Sequence, residues 1–486
     1  MLAREDALRV VNRLYAELQS RRPEVEEYDQ FYEGEQPLKF ASREWAEFHK
    51  DRYTGFADNW CGVVPDASGE RLRVTGINMG EDHDSTVKRL WGAMERAGFA
   101  AQSSQGFLQS MIAKRSFVLV WGDKNERPVL SWEHPSQVIV EHDAETGLVR
   151  RFALKAWVDG KTEFATLYTP SEVWKFQREA LSVKVSKGRT EGGLLVPTAV
   201  SANAAGTGWE PRQPSTDDTW PIKNPLGEVP IVEIPNRPRL KRGPISDIHG
   251  TIAMQNAINL LWAFLFSAAD HASMPARVVL GAERPKVPVL DSDGQQIGTK
   301  DLDLKELQHG RLMWLTGQDA KIGQWDAARL DVFTNVIEVA IGHIGAQTRT
   351  PAHYFVANKG LSNVNGETLT ATETPLVKKC EEFQLYSSGP LATVAGLVAK
   401  VMNEPGLGDA LLPSSIRWAN PGIRSEAQLA DALLKRKQIG YPLAWLLEQE
   451  GLSPSEIDRV LEMREKERFD PMMADLADRL VSGGDY

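Results

Sequence analysis

Leu8, Val11, Leu14, Tyr15 and Leu18 recur at steps of three and four, the spacing of one helix face, and residues 1–60 are expected to be largely helical. Within that stretch Glu26–Phe40 is polar and aromatic and is broken by Gly34 and Pro37. Asn59–Ile77 passes from helix into a short strand, and Asp82–Ala97 and Gln102–Ala113 read as further helices. From Ser116 to Glu179 the pattern becomes strand-like. Phe117–Trp121, Pro128–Trp132, Gln137–Glu141, Arg150–Trp157 and Glu163–Tyr168 are short β-rich runs, with hairpin turns at Asp143–Gly147 and Asp159-Gly160. Helices followed by a small antiparallel sheet make an α+β, helix-rich pattern.

Residues 186–227 lack periodicity and are rich in Gly, Ser, Thr and Pro, as in a flexible surface insertion. Val229–Pro235 is a short strand and Asn236–Pro244 a proline-rich connection. Ile245–Met274 is expected as one long helix, and between Asp247 and Asp270 only His249 can ionise. Strands return over 276–327, at Arg277–Leu280, Pro288–Leu290 and Arg311–Leu315, with a turn at Asp291–Gly294. Asp326–Thr348 is a second helix, Pro351–Gly366 a loop, and Glu367–Asn403 a very long helix interrupted by Pro375 and by Gly389-Pro390. After a linker at Pro405–Pro413, the chain ends in helices at Ser425–Gly440, Pro442–Gln449 and Pro454–Arg468, with Ser425 and Ser453 in N-cap positions. Two helices flanking a small β module make sense as an antiparallel stalk with the module at its far end.

The 486 residues are 42% apolar and 25% charged, enough for a real core. A net charge of −10 excludes a uniformly basic nucleic-acid binder, so any DNA contact must be local or made by a surface that avoids gripping the DNA. Cys61 and Cys380 are the two cysteines, which implies no disulfide framework and fits a reducing compartment. The N-terminus lacks a signal-peptide core, and the longest apolar run, Ala257–Ala269, is short for a membrane span. No phosphate loop or nucleophile elbow occurs. His249, His271, His309, His343 and His353 do not fall at zinc spacing. Asp291–Gly294 starts like a calcium loop but lacks the remaining ligands. No catalytic residue, metal or cofactor is therefore expected.

Tyr28–Ser42 (YDQFYEGEQPLKFAS), Asn59–Gly76 (NWCGVVPDASGERLRVTG), Val229–Gly281 and Arg417–Gly440 (RWANPGIRSEAQLADALLKRKQIG) resemble, in this order, segments of tailed double-stranded DNA bacteriophage portal proteins of the long-tailed, Gram-positive-host group, actinobacteriophage members above all. The resemblance covers nearly the whole chain. It implies an elongated subunit with a wing (1–244), a stem of two helices (245–273 and 328–349), a small α/β clip (274–327), a tunnel loop (350–366), a long kinked wing helix (367–403) and a helical crown (404–486). It also implies a closed homo-oligomeric ring, usually a dodecamer, at one capsid vertex. Double-stranded DNA would pass through this head–tail connector during packaging, retention and ejection. The implied partners are the terminase large subunit, a head-completion or adaptor protein and the capsid, with scaffolding protein a further candidate, and no membrane. The implied location is the virion, and the host cell cytoplasm during assembly. Two alternatives stay open: another head–tail structural protein such as an adaptor, and a nucleic-acid-processing enzyme whose carboxylates carry no recognisable motif.

In the second stem helix Asp331, Asn335, Glu338, Gly342 and Gly345 share one face, and Leu330, Phe333, Ile337, Ile341 and Ile344 another. By resemblance the polar face, with Asp331, Asn335 and Glu338, would line the channel. Sliding DNA favours such sparse contacts over a wall of cations. Lys359 is the one fixed charge of the tunnel loop before its end, and Asn358, Asn363 and Asn365 are polar companions that would also meet DNA. In the charge-poor helix Leu261, Trp262, Leu265 and Phe266 need cover, from the partner helix and from neighbouring subunits.

Overall fold

The computed structural model describes residues 2–36, 58–79, 84–180, 208–212, 220–273, 277–280, 286–290, 295–301, 312–315, 322–324, 329–355, 366–422 and 426–469. The chain divides into two units, one of residues 1–36, 59–252 and 344–486, the other of 37–58 and 253–343.

The first unit opens with helix α1 (Arg4–Glu33), whose Ala7, Val11, Leu14 and Leu18 are fully buried. Gly34, at φ 78°, ends it in the left-handed conformation, which glycine adopts at little cost. After α2 (Val63–Gly69) and β1 (Val74–Ile77), α3 (Asp84–Arg96) and α4 (Phe99–Ala113) lead into the strands. These are β2 (Arg115–Gly122), β3 (Pro128–Glu133), β4 (Val138–His142), β5 (Arg150–Asp159), β6 (Thr162–Tyr168), β7 (Glu172–Glu179), β8 (Glu210–Pro211), β9 (Ile222–Lys223) and β10 (Ile231–Pro235). The single small sheet expected from the pattern is two. One has the order β10-β2-β3; the other runs β4-β5-β6-β7-β8, with β9 also on β7. The alternation that marks a strand does not say which sheet the strand joins. Strand β7 carries buried Val173, Trp174 and Phe176.

Helix α4 approaches the first sheet closely because residue 106 is glycine. A Cβ there would lie 1.7 Å from Trp132 Nε1, which donates instead to Ser116 Oγ at 3.1 Å. Phe107, fully buried, packs edge-on against Trp132 and Phe383.

The insertion expected over 186–227 is corrected in part. Within it, 208–212 and 220–227 belong to the second sheet: β8 and β9 both pair with β7. Trp209 is buried under Arg178, whose guanidinium lies 4.1 Å from the indole and 4.6 Å from the Tyr15 ring. Arg178 also meets the buried Glu163, which accepts from Tyr15 Oη at 2.5 Å. Two tryptophans within a low-complexity stretch were the available signal: each offers a large apolar area that polar neighbours cannot cover.

The first stem helix begins later than expected. α5 runs Ile252–Ser273, and 245–251 forms turns. Asn236 Nδ2 donates to Ile245 O and Asp247 Oδ1, both at 2.9 Å, and Ser246 Oγ to Met111 O at 3.3 Å. Side-chain bonds of this kind divert the backbone from helix. Asp247 is buried among Arg237, at 3.1 Å, and Lys379, at 2.8 Å.

In the second unit, β11 (Arg277–Leu280) lies between β14 (Leu312–Leu315), parallel, and β15 (Ile322–Gln324), antiparallel. β12 (Lys286–Leu290) and β13 (Gln296–Asp301) form a separate hairpin around the expected Asp291–Gly294 turn, which itself lies outside the described residues. No helix occurs among the described residues of 274–327, so the expected α/β clip is described by strands alone. α6 (Asp331–Thr348) follows.

The chain closes with α7 (Gly366–Val401), which contains Pro375 and Pro390, then α8 (Pro405–Ala410), β16 (Ile416–Trp418), α9 (Glu426–Gln438), α10 (Leu443–Glu450) and α11 (Pro454–Phe469). The expected crown boundary at 404 moves. β16 pairs with β1, and Leu407, Leu411 and Ile416 lie in the same core cluster as α3, α4 and α7. Residues 405–418 are thus part of the first unit's core, and a purely helical end begins only with α9. Ser453 caps α11: its side chain and the Glu456 carboxylate answer each other across the first turn.

Candidate functional site

The expected polar face of α6 is only partly as drawn. Asn335 and Glu338 are exposed. Asp331 is exposed too, but Arg329 holds it: Nη2 donates to Oδ2 at 2.6 Å, and this bond, with the free N–H groups of the helix start, pulls the carboxyl below its usual range. Its charge is thus offset by a neighbour. Gly345 is not on the open face. It is buried where a Cβ would meet Thr350 O at 3.1 Å and Phe355 Cε2 at 3.2 Å. Ile337, Ala340, Ile341 and Ile344 are buried. Beside the polar face runs a stripe absent from the expectation: Val332, Val336 and Val339, spaced four and three apart, are 51%, 48% and 59% exposed.

On α5, Ala263 and Leu265 are buried, Leu261 and Phe266 are half-buried, and Phe264 is exposed. Trp262 is half-buried and fastened within the chain, donating from Nε1 to Asp58 Oδ2 at 2.7 Å. Gln255 Nε2 donates to Asp58 O at 2.5 Å and to Asn259 Oδ1 at 3.1 Å. The helix has 22 residues, and its stretch Ile252–Ala269 is long and apolar enough to cross a membrane by length and composition only, a test that the core helix of a soluble protein also passes. Gln255, Asn256 and Asn259 are buried, and the Asn259 amide oxygen also accepts from Asp58 N at 3.3 Å. In hydrocarbon each would need a bonded partner.

Lys359, Asn358, Asn363 and Asn365 lie outside the described residues. The segment leading to them is described and is held firmly. Arg349, at φ 58°, ends α6 in the left-handed region and reaches Glu382 at 2.7 Å. A short turn, Ala352–Tyr354, follows. His353 Nε2 lies 2.7 Å from Glu373 Oε1, and Arg71 binds both Tyr354 and Glu373. Phe355 is buried beside Trp60, with ring centroids 5.9 Å apart. Arg71, His353 and Glu373 carry no motif. Arg71 does fall within the family-like segment Asn59–Gly76, the only sign of it in the sequence. Among the described residues no three His, Cys, Asp or Glu side chains gather as metal ligands. Cys61 and Cys380 are buried thiols pushed up to about 11 by burial, so neither is a reactive thiolate at neutral pH.

An α+β chain of two units, one with buried ion pairs and one exposing an apolar helix face, matches known proteins. The chain belongs to the phage portal protein family, SPP1 Gp6-like, whose model matches residues 12–467. Portal function follows at the level of class: the protein is a structural component of the virion. It is 23% identical to the portal protein of Mycobacterium phage L5 over 390 residues, covering 76% of this chain and 70% of that one. The portal protein of Mycobacterium phage D29 is 23% identical over 413 residues, covering 78% and 75%. Among solved structures, a chain described as the neck of a native GTA particle, computed with C12 symmetry, is similar at a TM-score of 0.37 and 14% identity, covering 83% of this chain and 90% of that one.

Proposed function

We propose that this portal protein is the protomer of a closed, dodecameric ring, the channel through which double-stranded DNA enters and leaves the capsid. The observation that carries the reading is the stripe Val332, Val336 and Val339 on α6, about half or more exposed among the described residues. Neighbouring copies of α5 and α6 would cover it, and a closed ring gives every subunit the same cover. In that ring 252–273 and 328–349 are the stem, 274–327 the clip, 350–366 the tunnel loop, 367–403 the wing helix, on which 405–418 packs, and the helices from α9 onward the crown. Asn335 and Glu338 repeat in each subunit as a sparse polar annulus. Asp331 keeps its negative charge, which Arg329 beside it offsets. Lys359 with Asn358, Asn363 and Asn365 supplies weak, exchangeable contacts to passing DNA. The clip takes the terminase large subunit and later a head-completion protein; the wing meets the capsid and, during assembly in the host cytoplasm, scaffolding protein. No membrane and no cofactor take part.

Negative stain and mass photometry of the purified protein test the ring. Rings, or monomers that form them on a change of salt, are expected; only compact monomers in every salt, with none in virions, would overturn it. Lys359→Glu is expected to leave rings intact and to impair packaging. Deleting 285–305, which removes the β12–β13 hairpin, is expected to leave the first unit folded and to abolish packaging.

A further inference from the structure

Arg71 lies between α2 and β1, with only 9% of its side chain exposed. Its guanidinium joins segments that are remote in the sequence. Nη2 donates to Tyr354 Oη at 2.6 Å and to Glu373 Oε2 at 2.7 Å, and Nη1 donates to Pro421 O at 3.2 Å. Tyr354 ends the turn that carries the chain from α6 toward residues 356–365. Glu373, 2% exposed, lies on α7, which resumes after that segment. Pro421 stands just before residues 423–425 and α9. A buried cation costs several kcal/mol unless it is paired and bonded. Burial here works against the charged guanidinium, and Tyr354 and Glu373 outweigh it, so that the group stays charged. An apolar side chain could fill the volume. Only a planar fork of donors ties three acceptors from three segments together.

We propose that Arg71 is a positioning residue that holds, with one guanidinium, both the exit of α6 into residues 356–365 and the exit of the body into the C-terminal helices. Its functional meaning rests on the reading of 356–365 as the channel loop. The two exits share a strut: a pull on Pro421 acts on the same group that holds Tyr354. Displacement of the C-terminal helices therefore loosens the anchor of the loop, and the reverse.

The test is limited trypsin digestion of the full-length assembled protein, followed by mass spectrometry. Cleavage after Lys359 reports one exit and cleavage after Arg424 the other. Cleavage after Arg242, in the exposed turn Arg239–Arg242, is the internal reference. With Arg71→Met, cleavage at Lys359 and Arg424 is expected to rise on the order of tenfold relative to Arg242, the scale of a lost charged hydrogen bond. Tyr354→Phe keeps the ring and the Arg71–Glu373 pair; it is expected to raise cleavage at Lys359 alone by a few-fold. Arg71→Lys keeps the charge without the fork and is expected to restore at most one exit. The proposal is overturned if Arg71→Met changes neither site relative to Arg242, or only one of them, or if Arg71→Lys restores both. Should Arg71→Met fail to fold, Tyr354→Phe decides, since no change at Lys359 sinks the idea. No DNA enters this assay. A silent Lys359→Glu in packaging would therefore remove the channel reading and leave the anchor standing, and unchanged digestion would do the opposite.

Discussion

In the first unit Asp247, Glu373 and Lys379 lie buried beside opposite charges, while in the second the apolar side chains of Val332, Val336, Val339 and Phe264 face solvent. A soluble fold normally arranges the reverse, with charge outside and valine inside. The first unit can afford buried ions because each is met by several partners, and mutual fit fixes how α2, α7 and the turn at 352–354 come together. The second unit's stripe has no such answer among the described residues. The contrast separates residues that complete a subunit from residues that wait for another one.

The comparison is broken most readily at Glu373. Glu373→Ala strands the Arg71 cation at a buried site and is expected to cost about 3–5 kcal/mol, read as a lower midpoint in denaturant unfolding. An unchanged midpoint would mean that the pair is not part of the core. Next is Gly106→Ala, which drives a methyl group into the Trp132 ring and is expected to cost about 3 kcal/mol, with loss of near-ultraviolet dichroism from the displaced indole.

Acid sharpens the picture of Asp247. Burial alone would raise its pKa, but Lys379 and Arg237 more than reverse that, so the folded value lies below the unfolded one. Its stabilisation is therefore complete above the unfolded pKa, at about pH 4, and is lost as pH falls through the folded value. Asp247→Asn is expected to lower Tm at neutral pH and to flatten its fall below about pH 4. A variant with the wild-type acid slope would remove Asp247 from the account. The smallest effect on the subunit belongs to the stripe. Val332→Ser, Val336→Ser and Val339→Ser together are expected to change monomer stability by no more than about 1 kcal/mol while shifting mass photometry from rings to monomers. The opposite result, a lost fold with intact rings, would place the stripe inside the subunit.

Local patterns carried a good deal of this. The burial of Val11, Leu14 and Leu18, the start of β5 and the end of β6, and the Ser453 cap are decided by neighbours within a few positions, and the order of side chains along the chain already contains them. The order of the family-like segments likewise reached the portal class. Tertiary structure alone decided which sheet each strand joins, that Trp209 and Trp220 tie down part of a low-complexity stretch, and that 405–418 belongs to the body. It also revealed Arg71, whose partners Tyr354, Glu373 and Pro421 lie 283, 302 and 350 positions away. A periodicity reports which face of an element is apolar. It cannot report which distant carboxylate will meet a given guanidinium, because that contact exists only once packing has fixed both backbones and excluded the water that would otherwise solvate each charge alone.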